Sequence, residues 1–139
     1  MARIVSIGGK LEDWKKKKKR KNKRRKIKDE LDKLFSIIIR NKGKCERCGE
    51  ISPLNTAHIF SRRNLATRWD KNNALCLCVG CHFWAHQNPI LFTEFIKEKI
   101  GDKKYEELKE KSIKIKKWTI GELCELLEEF KEEIENCQK

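Results

Sequence analysis

The chain has 139 residues, room for one compact domain with an appendage and too few for two domains with separate large cores. Lysine and arginine total 34 against 21 acidic residues, a net charge of +13, and 40% of residues are charged where about 25% is usual. No apolar stretch approaches the roughly 18 residues that span a bilayer, and residues 1–10 lack the continuous apolar segment of a signal peptide, so a cytoplasmic protein without membrane contact is expected.

In chain order, residues 1–13 carry no clear signal. The charge excess is concentrated next. Of the 14 residues from Lys15 to Lys28, 12 are basic and none is acidic, which leaves 22 basic and 21 acidic residues elsewhere. Such a block repels itself and is expected to be disordered or loosely helical without a partner, so residues 1–28 are read as a basic arm. Lys15, Lys16, Lys17, Lys18, Lys19, Arg20, Lys21, Lys23, Arg24, Arg25, Lys26 and Lys28 are candidates for contacting nucleic-acid phosphates. A nuclear-localisation signal is the rival reading of the same composition.

From Asp29 to Arg40, Leu31, Leu34, Phe35 and Ile38 share one helical face, and Asn41, Lys42 and Gly43 supply a stop. Residues 45–87 follow no simple period, with short strand candidates at Ala57–Phe60 and Ala74–Cys78 joined by a loop rich in Arg and Asn. Thr93–Ile100, closed by Gly101, and Asp102–Lys111 read as helices, while Ile113–Trp118 is ambiguous. Thr119 and Glu122 form a capping box ahead of an apolar stripe of Leu123, Leu126, Leu127, Phe130 and Ile134. That last segment, 119–139, is acidic and either folds back on the body or meets a partner.

Cys45-Glu-Arg-Cys48 and Cys78-Val-Gly-Cys81 are two CxxC pairs. In a reducing compartment closely spaced cysteines hold metal more often than they form disulfides, and four thiolates from two tight turns complete a closed tetrahedral zinc site of structural type. Cys76 is read as core, and Cys124 and Cys137 as small apolar or surface thiols. All three histidines are interleaved with this set. His58 follows the first pair, and His82 and His86 lie four apart beside the second, on one helical face where both can reach one metal ion.

The stretch from Cys45 to His86 resembles the HNH endonucleases, whose ββα-metal finger is a two-stranded hairpin, a loop and a helix. The resemblance rests on Ala57-His58-Ile59, Asn73, Cys81-His82 and His86 within the cysteine frame. The intervals of fifteen, nine and four residues from His58 to Asn73, His82 and His86 are similar to those of the DNase colicins, and the wider string looks like phage HNH proteins of the NinG-like recombination type. The resemblance implies an α+β fold: a zinc-stapled finger in an HNH domain spanning 29–92, flanked by a disordered basic arm and a helical extension over 93–139.

It also implies roles. His58 would be the general base that deprotonates the attacking water, since an imidazole is largely neutral at cellular pH. Asn73 would fasten the loop and help orient His58, while His82 and His86 would bind the catalytic divalent ion, Mg²⁺, Mn²⁺ or Ni²⁺, beside the structural Zn²⁺ of the cysteines. Many members have an Asp or His before the base, where this chain has Ala57; Asp70 from the loop is a candidate substitute ligand. Arg62, Arg63 and Arg68 would clamp phosphates of a DNA substrate. Trp69, Phe83 and Trp84 are read as core. The expectation is a metal-dependent DNA endonuclease of weak sequence preference in phage or mobile-element biology, with the oligomeric state open between monomer and homodimer. Two alternatives stand beside it: a non-catalytic zinc-containing nucleic-acid-binding module, and an interaction protein that engages a partner through its acidic helix.

Overall fold

The computed structural model describes the backbone from Ile4 to Gln138 and the side chains from Gly9 to Gln138. Among these residues the chain is α+β, with five helices and a two-stranded antiparallel sheet. The order is α1 (Ile4–Arg40), β1 (Leu54–His58), a single 3₁₀ turn (Lys71–Asn73), β2 (Ala74–Cys78), α2 (Val79–Gln87), α3 (Pro89–Ile100), α4 (Asp102–Ser112) and α5 (Ile120–Cys137). No described helix is long and apolar enough to cross a membrane.

Of the two states expected for the basic block, disordered or loosely helical, helix α1 shows the helical one. Its 37 residues form one continuous helix about 55 Å long, running from the basic block into the segment predicted as the first helix. Lys and Arg are good helix formers, and neither Pro nor Gly interrupts residues 10–40. Like charges at i, i+4 oppose a helix by only about 0.2–0.5 kcal/mol per pair. The packed part, Ile27 to Ile39, supplies a nucleus, so the basic turns extend an existing helix and escape the nucleation cost. Side chains from Gly9 to Lys23 are exposed, and packing begins where the Arg24 guanidinium donates to the Trp118 carbonyl at 2.6 Å.

The hairpin lies between two helical layers. Register pairs Leu54 with Cys78 and His58 with Ala74. All of β2 is buried. Its Ala74 and Cys76 pack with Leu31, Phe35 and Ile39 of α1 and Leu123 and Phe130 of α5, whereas Leu75 and Leu77 join Ala57, Ala85 and Ile96 on the opposite face. Helices α1 and α5 run in the same direction: Trp118, next to the start of α5, meets Arg24, and Phe130 meets Phe35 at 6.1 Å between rings.

Strand β1 starts and ends earlier than the Ala57–Phe60 reading. The register reaches one step further, with the Ile59 amide donating to the Asn73 carbonyl at 2.8 Å, and stops there because the Asn73 amide turns to the Asp70 carbonyl and the Phe60 amide to the Asn73 side chain, each at 2.8 Å. Helix α3 begins at Pro89 instead of Thr93, with proline in the first turn, where its missing N–H costs nothing. The α5 cap is as expected, with the Thr119 hydroxyl accepting from the Glu122 amide at 3.1 Å. Phe83, read as core, is 65% exposed.

Phe130→Ala should destabilise the fold by about 3–5 kcal/mol, and Trp14→Ala on the exposed part of α1 by no more than about 0.5 kcal/mol. Urea unfolding at a fixed metal load measures both; equal effects would show that the α1–α5 interface is not the core.

Candidate functional site

Cys45 and Cys48 lie on the turn after α1, closed by Gly49 in the left-handed region at φ +83°. Cys78 ends β2 and also caps α2, its sulfur accepting from the Cys81 amide at 3.4 Å. The four sulfurs lie within 4.8 Å of one another, with Cys48 and Cys78 3.5 Å apart. A tetrahedral ion with bonds of about 2.3 Å requires sulfurs about 3.8 Å apart, so the donor set fits such an ion. These four residues could hold a metal ion such as zinc.

The two residues between the first cysteines dock the turn. The Glu46 carboxylate accepts the Cys76 amide at 2.6 Å, and the Arg47 guanidinium lies 3.6 Å over the Trp84 ring while donating to the Cys81 sulfur at 3.4 Å. Burial raises the Cys45 thiol, yet the N–H groups of Cys48, Cys78 and Arg47 outweigh it and bring the group down to about 6. Cys81 is pushed up to about 12, first by burial, against the pull of Arg47. Four thiols this close cannot all ionise cheaply unless a cation offsets the charge.

On α2, the Nε2 atoms of His82 and His86 are 3.1 Å apart. Two imidazoles bound to one ion at about 2.1 Å, with an angle near 95° between them, would show this spacing. Burial, and then the charge of His86, lowers the His82 pKa. His58 closes β1, with its Nε2 3.3 Å from the Arg68 carbonyl and its ring stacked on Phe35 at 5.6 Å. A carbonyl only accepts, so Nε2 carries the proton and Nδ1 is left as the acceptor. Burial is the main cause of the lowered His58 pKa; the Arg68 carbonyl and Asp32 raise it, and Arg62 and Arg68 lower it.

All three histidines line one cleft of about 770 Å³ along β1, between Asp32, Phe35 and Ser36 of α1 and the α2–α3 junction. Asn73 is fully buried beside it. Its Oδ1 accepts the Phe60 amide, and its Nδ2 donates to the carbonyls of Phe60 and Thr67, both at 3.0 Å. It thereby ties Phe60 to Thr67, the residues that bracket Arg62 and Arg63 in the loop.

Other candidate residues are placed elsewhere. Ala57 is 2% exposed and packs into the α2–α3 face of the core. Asp70 does not reach the cleft: it caps the 3₁₀ turn through the Asn72 amide and pairs with Lys111 at 2.6 Å. Arg62 lines the cleft with its side chain 62% exposed, and Arg63 is exposed. Arg68 is not a free phosphate clamp, because both ends of its fork are taken by Asp32 at 3.1 and 2.6 Å.

Asp32 was missed in the sequence. The available signal was an acid at i−3 and i−7 to the buried Phe35 and Ile39, a position that on a core-facing helix calls for a buried partner.

Cys81→Ser should abolish tight binding of one zinc equivalent, and His82→Ala should leave it intact, as read by metal analysis after gel filtration. Equal loss in both variants would contradict separate thiolate and imidazole sites. No family model matches the chain, and no curated protein or solved structure matches it.

Proposed function

We propose that this chain is a metal-dependent endonuclease of the HNH type acting on DNA. The supporting observation is that one strand-end histidine and two helix histidines line a common cleft while a four-cysteine cluster joins strand to helix. On this reading the cysteines hold structural zinc, with no open coordination position.

His82 and His86 would hold a divalent ion, Mg²⁺, Mn²⁺ or Ni²⁺, which supplies Lewis-acid charge at the scissile phosphate. Nδ1 of His58 takes the proton from the attacking water, and the Phe35 stack keeps the ring from rotating. Arg62, exposed at the rim, offsets the charge of a neighbouring phosphate. The basic part of α1 adds sequence-independent attraction to the backbone.

One observation favours a second reading, a non-catalytic nucleic-acid-binding module. Ala57 offers no ligand, and among the described residues no third His, Cys, Asp or Glu completes a cluster with His82 and His86. The two readings separate in a plasmid-nicking assay with each divalent ion. The unaltered protein should nick, and His58→Ala should lose at least about a hundredfold in rate at unchanged DNA affinity. No nicking with any ion would leave the binding module. Because burial lowers the His58 pKa, its base form persists below the ordinary value of 6.5, and the acid limb of the rate profile should lie below that pH.

Deleting residues 1–23 should weaken DNA binding and flatten its salt dependence by up to about 0.9 for each phosphate no longer neutralised. An unchanged slope in a salt-titrated binding assay would assign the basic helix to another partner.

A further inference from the structure

We propose that Asp32 is a positioning residue for the His58 imidazole, acting through the Arg68 peptide. This rests on the endonuclease reading for its catalytic consequence, but not for its geometry. The His58 ring is bonded to the carbonyl of Arg68, so whatever fixes that peptide fixes the ring and its tautomer. Asp32 grips the peptide from both sides of the same oxygen. Its carboxylate takes the Arg68 fork, Nε at 3.1 Å and Nη2 at 2.6 Å, and the indole N–H of the next residue, Trp69, at 2.9 Å. Trp69 is itself 5% exposed and packed edge-on against Trp118. On the preceding side, the Thr67 carbonyl is held by Asn73.

The same turn of α1 supplies two more grips at i+3 and i+4. Phe35 stacks on His58, and the Ser36 hydroxyl meets that of Thr56, two residues before His58 on the strand, at 3.1 Å. The charge of Asp32 argues against a direct role in binding nucleic acid. It is an acid at the mouth of a cleft among Arg62, Arg68 and Lys28, and its negative charge opposes a phosphate there. Burial would raise its pKa, yet the Arg68 fork, the Trp69 N–H and Arg62 outweigh burial and keep it ionised. What it contributes is therefore orientation.

The test compares Asp32→Asn and Arg68→Lys, two ways of breaking one fork, with the unaltered protein. The readouts are the ¹⁵N shifts of the His58 ring, single-turnover nicking and DNA affinity. Each variant should shift His58 from the single Nε2–H form toward a mixture of tautomers. Each should lower the nicking rate by roughly tenfold or more, since small misplacements of a reacting group are costly. Asp32→Asn should bind DNA as tightly as before or more tightly, and the double variant should be no slower than either single one.

If Asp32→Asn fails to fold, as judged by circular dichroism and metal content, Arg68→Lys carries the same comparison. Unchanged ring shifts and a rate within about twofold would overturn the proposal, as would a weaker affinity at unchanged rate. Failure of the unaltered protein to nick, together with a tautomer change in the variants, would uphold the positioning role and overturn the endonuclease reading.

Discussion

Four sulfurs lie within 4.8 Å of one another in the middle of this molecule, where they could hold a metal ion. They come from the turn after α1, the end of β2 and the first turn of α2, with Cys48 and Cys78 30 positions apart in the chain. A two-stranded hairpin is marginal by itself. A cation shared by these thiolates would draw strand and helix into one unit, and with it the distance from His58 on β1 to His82 and His86 on α2. Cys78 shows the economy of the arrangement: one side chain ends the strand, caps the helix and offers a sulfur to the cluster.

The second organising element is one turn of α1. Asp32, Phe35 and Ser36 reach the loop, the His58 ring and β1 in that order. Asn73 supports the same loop from inside, with every polar atom of its amide used. The cleft is therefore shaped by side chains that hold its loop and the His58 ring in place.

Much of this was legible in the chain. The two CxxC pairs predicted a cluster, β2 was delimited to the residue, and the Thr119 cap marked α5, because each is a local signal: ligand spacing, a short apolar run, a cap with its box. The i, i+4 spacing placed His82 and His86 near one another, while only the resemblance put His58 with them, and spacing alone does not describe the cleft that all three line. What was not legible depended on long-range partners. Asp32 takes its meaning from Arg68 and Trp69, 36 and 37 residues away, and Arg68 looks like a free clamp only while that carboxylate is left out. Strand β1 was misplaced because the pairing ends where the Asn73 amide turns to Asp70 and the Asn73 side chain takes the Phe60 amide. The sequence left the basic block open between disorder and helix because its repulsion was weighed without the packed turns that seed it.

The unbroken course of α1 makes the polycation and the cleft two ends of a single stiff lever. If the charged end binds a nucleic-acid backbone as proposed, α1 has no joint whose freedom must be given up and no slack to absorb a change of length. A helix turns about 100° per residue, so adding one position between Lys28 and Asp32 would swing the whole cationic rod to a new azimuth around the body. On the proposed reading, the phase of the helix, as much as its charge, would decide which way the cleft faces a bound backbone.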